Sequence, residues 1–291
     1  MGNNRALAAA GRPPAGASPE RSHSLKIIAE KINGTRKRVA QAIQERDAAF
    51  IQNLAREQAA VSHTAWVDAN AGTAPQREPD DLIWLVETIQ SATDKPIALD
   101  SANPKALEAA IKVVKTKPMI NSISLEPGRR DIFPIVAEHD CPTVALASGE
   151  KGLPKTQEEC LDNIARLLEK TRSMGIRDSN LYVDPLAMTI GSGIQNGLIF
   201  FDSVREIRRR FPEVHITCGL SNISFGLPAR TYINRVFLAL SMQAGMDCAI
   251  CDPNNHDIQT TILATELLLA KDKHCLNYTR AFRAGVFNKP V

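Results

Sequence analysis

From residue 25 onward, short apolar runs alternate with longer stretches of helical period. LKIIAE (25–30) has strand character and gives way to polar KINGT and a long helical stretch over 36–61. AWVDANAG (65–72) precedes a helix over 81–92, in which Leu82, Leu85, Val86 and Ile89 recur at helical spacing. IALDSAN (97–103) precedes a helix that opens on Pro104, whose fixed φ suits a first turn. PMINSIS (118–124) is followed by a helix over 129–138, and PTVALAS (142–148) by a Gly-Pro loop and a helix over 156–173. NLYVDPL (180–186) leads through a loop containing Gly191, Gly193 and Gly197 to a helix over 202–210. HITCGLSNIS (215–224) precedes a helix over 230–243, and DCAICDP (247–253) one over 257–270.

Short buried strands separated by amphipathic helices imply a parallel sheet with right-handed crossovers. Eight such units over residues 25–291 match the count and length of a single closed (β/α)8 TIM barrel, an α/β fold. The alternative is an open doubly wound sheet, which usually has fewer strands and a Gly-rich first turn; KINGT is not G-x-G-x-x-G.

In such a barrel the chemistry sits where the strands end. Those ends read Glu30 and Asn33; Asp68 and Asn70; Asp100, Ser101 and Asn103; Asn121 and Ser122; Ser148; Asp184; Gly219, Ser221 and Asn222; and Asp252. Among them the only nearby cation in the sequence is Lys31. A mouth so rich in acceptors suits a neutral or cationic ligand bearing several N–H donors. Phosphate is disfavoured, since the last two strands end in GLSNISFG and CDPNNH rather than in a glycine-rich anion loop. No metal site is expected. His63 and His215 fall at strand starts, His139 and His256 lie in or beside helices, and Cys248 and Cys251, three apart on a strand, point to opposite faces. Magnesium on Asp100, Asp184 and Asp252 is the one metal reading that the oxygen ligands leave open.

Composition narrows the partners. The chain has 35 Lys and Arg against 32 Asp and Glu, a net charge of +3. Arg5, Arg12 and Arg21 against Glu20 put most of that excess in residues 1–24, which leaves the body nearly neutral, with no basic stripe for nucleic acid and no polybasic membrane patch. Residues 1–24, rich in Ala, Pro, Gly and Ser, are expected to be a disordered N-terminal extension without a secretory or myristoylation signal. Six irregularly spaced cysteines fit a reducing cytoplasm better than a disulfide framework, and no apolar run is long enough to span a bilayer.

The segments IAEKING, LDSAN, MINSIS, YVDPL and GLSNISFG, in this order at the ends of the expected strands, resemble those of the pterin-binding methyltransferases. The likeness is to methyltetrahydrofolate:corrinoid/iron-sulfur protein methyltransferase and the folate domain of cobalamin-dependent methionine synthase; dihydropteroate synthase shares the fold more distantly. The resemblance spans about residues 25–285 and implies a dihydropteroate-synthase-like barrel that moves a methyl group between tetrahydrofolate, or methyltetrahydrofolate, and a corrinoid (cobalamin). It implies that Asp100, Asn121 and Asp184 hold the pterin's aminopyrimidine with Ser122 beside them. Asn222 lies by the methyl-bearing nitrogen as the catalytic residue, and Arg230 at the rim faces the benzoyl-glutamate. Glu30, Asn33, Asp68, Asn70, Gly219, Ser221 and Asp252 are further members by position.

Two motifs are missing. No tandem Cys pair follows a Gly-Gly, as a zinc site for homocysteine would need, and no Asp-x-His-x-x-Gly is present to ligate cobalt. The corrinoid is therefore expected on a separate corrinoid-binding protein that docks transiently. The glycine-rich loop AMTIGSGIQNG lies where partner choice could be set. A homodimer is expected by family analogy. The competing functions are a dihydropteroate synthase-like pterin transferase, which calls for a Lys and an Arg poised for pyrophosphate, and a non-catalytic folate-binding subunit.

Overall fold

A computed structural model describes residues 24–288. Eight strands, each followed by at least one helix, run in the order β1 (Lys26–Ala29), α1 (Lys37–Glu45), α2 (Ala48–Ala59), β2 (Thr64–Ala69), α3 (Glu78–Gln90), β3 (Ile97–Asp100), α4 (Pro104–Ile111), β4 (Met119–Ile123) and α5 (Ile132–His139). The second half comprises β5 (Thr143–Leu146), α6 (Gln157–Ser173), β6 (Leu181–Asp184), α7 (Asn196–Arg210), β7 (His215–Ile216), α8 (Arg230–Ala244), β8 (Cys248–Cys251), α9 (His256–Leu268) and α10 (Leu276–Arg283).

All strand pairs are parallel, in the order β7-β6-β5-β4-β3-β2-β1-β8. The circle is completed past the short β7: Asp247 N donates to Ile216 O at 3.2 Å, Ile250 N to Cys218 O at 2.9 Å, and Gly219 bridges Ile250. The expected barrel is thus the observed fold.

Strand alternation sorts the apolar residues into two layers. Ile28, Trp66, Ala98, Met119, Val144, Tyr182 and Cys248 fill the interior. Ile27, Val67, Leu99, Ile120, Val183, Ile216 and Cys251 face the helices. Cys248 and Cys251 fall in different layers, both buried and both free, as their spacing requires. The N-terminal end of the barrel is plugged: Lys26 Nζ donates to Tyr182 Oη at 3.0 Å, the His215 ring stacks on Tyr182 at 4.4 Å, and His215 Nδ1 lies 2.8 Å from Asp247 Oδ2.

Several boundaries differ from those read in the sequence. The stretch 36–61 is two helices, broken where Arg46 takes a left-handed φ of 56° and Asp47 Oδ1 accepts from Phe50 N at 3.1 Å to cap α2. The break is held by a long-range pair, Arg46 to the buried Asp81 at 2.7 Å, which local sequence does not announce. Helix α7 begins at Asn196 and takes in Gly197, and α5 begins at Ile132 after a separate turn over Pro127–Arg129. Residues Leu220–Ser224 form a 3-10 turn rather than the end of a strand, and α10 was not anticipated. Apart from Ser24, the expectation for residues 1–24 lies outside the described residues.

Candidate active site at the barrel mouth

Period-two alternation accounts for the mouth. A residue two positions beyond an interior apolar side chain also points inward, now at the C-terminal rim. Glu30 follows Ile28, Asp68 follows Trp66, Asp100 follows Ala98, Asn121 follows Met119 and Asp184 follows Tyr182. Register brings Asp100 opposite Asn121, and a bridge joins Asn33 to Asn70. The strand-end residues expected to act together are therefore neighbours.

Their hydrogen bonds are specific. Asn70 Nδ2 donates to Asp100 Oδ2 at 2.8 Å, and Asn121 Nδ2 to Asp68 Oδ1 at 3.3 Å. Burial, then the neighbouring Asp100 charge, pushes Asp68 well above the usual carboxylate range. Burial also raises Asp100, against the pull of Asn70 and the Arg129 guanidinium. Asp184 is buried and pushed up to about 7 by desolvation, although Leu186 N donates to it at 2.7 Å. Burial raises Glu30 too, against the pull of Arg36 at 3.7 Å.

Other expected residues play different local parts. Ser122 is held by Arg129, whose Nη1 donates to its carbonyl at 2.9 Å and its hydroxyl at 3.1 Å; the Asn121–Ser122 peptide bond is cis. Asp252 pairs with Lys31 at 3.3 Å and accepts from Asn254 N. Asn33 accepts from the Thr35 amide and hydroxyl. Arg230 is folded onto the 220–224 turn, with Nη2 donating to Ser221 O at 2.6 Å and Nε to Ser224 Oγ at 3.0 Å. Asn222, exposed on that turn, has room because residue 219 is glycine: a Cβ there would lie 2.9 Å from Asn222 Nδ2.

The expectation that Lys31 is the only nearby cation is incorrect. Besides Arg230, already expected at the rim after β7, Arg36 and Arg129 reach it from the segments that follow β1 and β4. Sequence reading also missed Glu126, which accepts from Ser124 Oγ at 3.0 Å and Ser148 Oγ at 3.1 Å, and Glu78, which accepts from Ser101 Oγ at 2.5 Å. Their one legible signal was position on or beside a mouth loop. Among the described residues no group of three or more His, Cys, Asp or Glu side chains is arranged to hold a metal ion.

Residues 64–252 match the family model described as pterin binding enzyme. The chain is 37% identical over 262 residues to a methylcorrinoid:tetrahydrofolate methyltransferase of Eubacterium limosum, covering 89% of this chain and 96% of that protein. It is 33% identical over 183 residues to a methionine synthase of Mycobacterium tuberculosis, 58% of this chain but 15% of that much longer protein. Among solved structures, Xanthomonas albilineans dihydropteroate synthase in complex with 7,8-dihydropteroate superposes with a TM-score of 0.64 at 16% identity, covering 86% of this chain and 94% of that one. The Yersinia pestis enzyme with a pterine-sulfa conjugate gives 0.63 at 15% identity, with 85% and 94% covered. At that identity the likeness is one of fold.

Proposed function

The chain belongs to the pterin binding enzyme family, and from that premise we propose that it moves a methyl group between N5 of tetrahydrofolate and the cobalt of a corrinoid carried by a separate protein. The observation that carries this reading is the 37% identity that extends over 96% of a methylcorrinoid:tetrahydrofolate methyltransferase.

The mouth supplies matching chemistry. A pterin edge presents an amine and a ring N–H, to which ionised carboxylates offer paired acceptors, while a carboxamide matches mixed donor and acceptor atoms. Asp100, Asn121 and Asp184 form that acceptor set, and Asp68 and Asn70 fix its members in place through hydrogen bonds. Arg129 steadies the Asn121–Ser122 segment.

A tertiary amine is a poor leaving group, so breaking the bond from N5 to methyl requires N5 to leave bearing a proton; in the reverse direction N5 sheds that proton as the bond forms. Asn222 is the residue assigned to this charge. Its carbonyl accepts from the protonated nitrogen and favours the cationic form, and the proton exchanges through water. Arg230 holds the turn that carries Asn222.

Several features support the remaining parts of the reading. Six cysteines, all free and five of them buried, suit a reducing cytoplasm. No helix among the described residues is long and apolar enough to cross a membrane. Tyr232, Val236 and Leu240 form an exposed apolar stripe at i, i+4 and i+8 on α8, which suits pairing of two copies through a helical face.

The direct test is spectral. With tetrahydrofolate and this protein together, the methylcobalamin absorbance is expected to fall, and with either alone to persist. No change with free methylcobalamin and none with a methylated corrinoid protein would overturn the proposal, leaving a folate-binding subunit if folate still binds.

A further inference from the structure

We infer that the partner protein docks off-centre on the barrel mouth, on an apolar arc formed by the loops after β5, β6 and β7, rather than symmetrically over the opening. The inference rests on the methyl-transfer reading above and specifies the partner surface for that site.

The mouth is divided into two unlike halves. Among the described residues, every exposed large hydrophobic side chain on a mouth loop or at the start of the helix it feeds lies in this arc. Leu153 follows β5; Met188, Ile194, Leu198 and Ile199 follow β6; Phe225 and Tyr232 follow β7. Ile194 is 84% exposed, Phe225 69% and Leu198 58%, where monomeric surfaces usually show such residues singly.

The three loops are physically joined. Thr189 Oγ1 donates to Phe225 O at 2.7 Å, and Asn196 Nδ2 to Thr189 O at 2.8 Å, which ties the β6 loop to the β7 turn and to the first residue of α7. Pro154, Lys155 and Thr156 of the β5 loop share a cleft with Leu186 and Met188. The glycine-rich segment 187–197, which the folate site does not use, is the centre of this arc.

The rest of the rim is polar and internally paired. Lys31 binds Asp252 at 3.3 Å, Arg36 faces Glu30 at 3.7 Å, Glu78 holds Ser101 and Arg129 holds Ser122. Such groups are costly to desolvate and suit contact with water or a polar ligand tail.

Continuity with the reaction site identifies the occupant. Phe225 N donates to Asn222 O at 3.1 Å, so the apolar arc begins on the turn that presents Asn222. A carrier must bring a large macrocycle to a nitrogen beside Asn222, and its rim then lies on the residues that flank that turn. The partner chemistry that fits is a corrinoid-binding protein with an apolar surface around its cofactor.

The test compares two methyl donors, free methylcobalamin and a methylcobalamin-loaded corrinoid-binding protein that the wild-type chain turns over. Ile194→Asp and Leu198→Asp are expected to raise KM for the protein donor by about tenfold or more, as loss of a buried interface anchor does, with kcat/KM for free methylcobalamin unchanged. Ala102→Asp, an exposed residue of the β3 loop on the polar half, is expected to leave both donors unchanged. The wild-type KM for the protein donor should vary little with salt, because the contact is apolar rather than ionic.

If Ile194→Asp and Leu198→Asp leave the protein-donor KM unchanged, or if Ala102→Asp raises it as much, the off-centre surface is wrong while the methyl-transfer reading stands. If Ile194→Asp or Leu198→Asp lowers turnover of both donors equally, the arc serves the site itself and the inference also fails. A wild-type chain inactive with every donor overturns the function first and the surface with it.

Discussion

Asp68 and Asp100 lie at the ends of neighbouring strands at the barrel mouth, where Asn121 donates to the first at 3.3 Å and Asn70 to the second at 2.8 Å, and where the Asp100 charge adds to burial in raising Asp68. A buried carboxylate beside a second acidic group is costly to charge, which favours the neutral form of Asp68. Arg129 and Asn70 favour the charged form of Asp100.

Asp68→Asn should therefore be nearly neutral for stability, since an amide is uncharged like the protonated carboxyl and its oxygen still accepts from Asn121. Asp68→Ala instead leaves the Asn121 amide without its partner, a loss of about 1–3 kcal/mol. Thermal melts of the two variants at pH 8 decide this: equal destabilisation by both would show that Asp68 acts as a charge.

Folate binding and stability should respond to pH in opposite senses through Asp184. Its carboxyl titrates at about 7, raised from 3.8 by burial. A folded-state value above the unfolded one means that its contribution to stability is full below about 4 and is lost as pH climbs through 7. Glu30 and Asp68, also raised, act in the same direction. The ligand-free protein is expected to melt at a higher temperature at pH 6 than at pH 8. Tetrahydrofolate, which needs the ionised carboxylate as acceptor, should bind about tenfold more weakly per pH unit below that value. Fluorescence titration over the same range measures it, and a flat profile would remove Asp184 from the pterin contact.

Asn222→Ala should lower the methyl-transfer rate by about 100-fold, as removal of a transition-state hydrogen-bonding group does, with little change in folate affinity. Single-turnover rates against equilibrium binding separate the two. Equal losses in both would assign Asn222 to ground-state binding.

Gly34→Ala should destabilise the fold by more than about 2 kcal/mol, because the change forces overpacking at a backbone contact. The loops after β1 and β2 meet so closely that a Cβ on Gly34 would lie 1.9 Å from Ala71 O, and backbone cannot move aside as a side-chain tip can. Denaturant unfolding checks this, and a midpoint equal to that of the wild type would contradict it.

The sequence by itself determined the repeat and the inward faces. Apolar runs of strand length alternate with helical periodicity eight times. Within each strand, the period of two that buries Ile28, Trp66, Ala98, Met119 and Tyr182 also aims Glu30, Asp68, Asp100, Asn121 and Asp184 into the mouth. These are local properties, fixed by backbone geometry within a few residues, and they are legible without knowing what packs against what.

What only the tertiary structure decided depends on groups far apart in the chain. The helix break at Arg46 is held by Asp81, Ser122 is claimed by Arg129, Arg230 folds down on Ser221 and Ser224, and Lys31 is taken up by Asp252. The raised Asp68 carboxyl and the division of the rim into a polar and an apolar half arise the same way. Charge and burial act through space, and only barrel closure sets those distances.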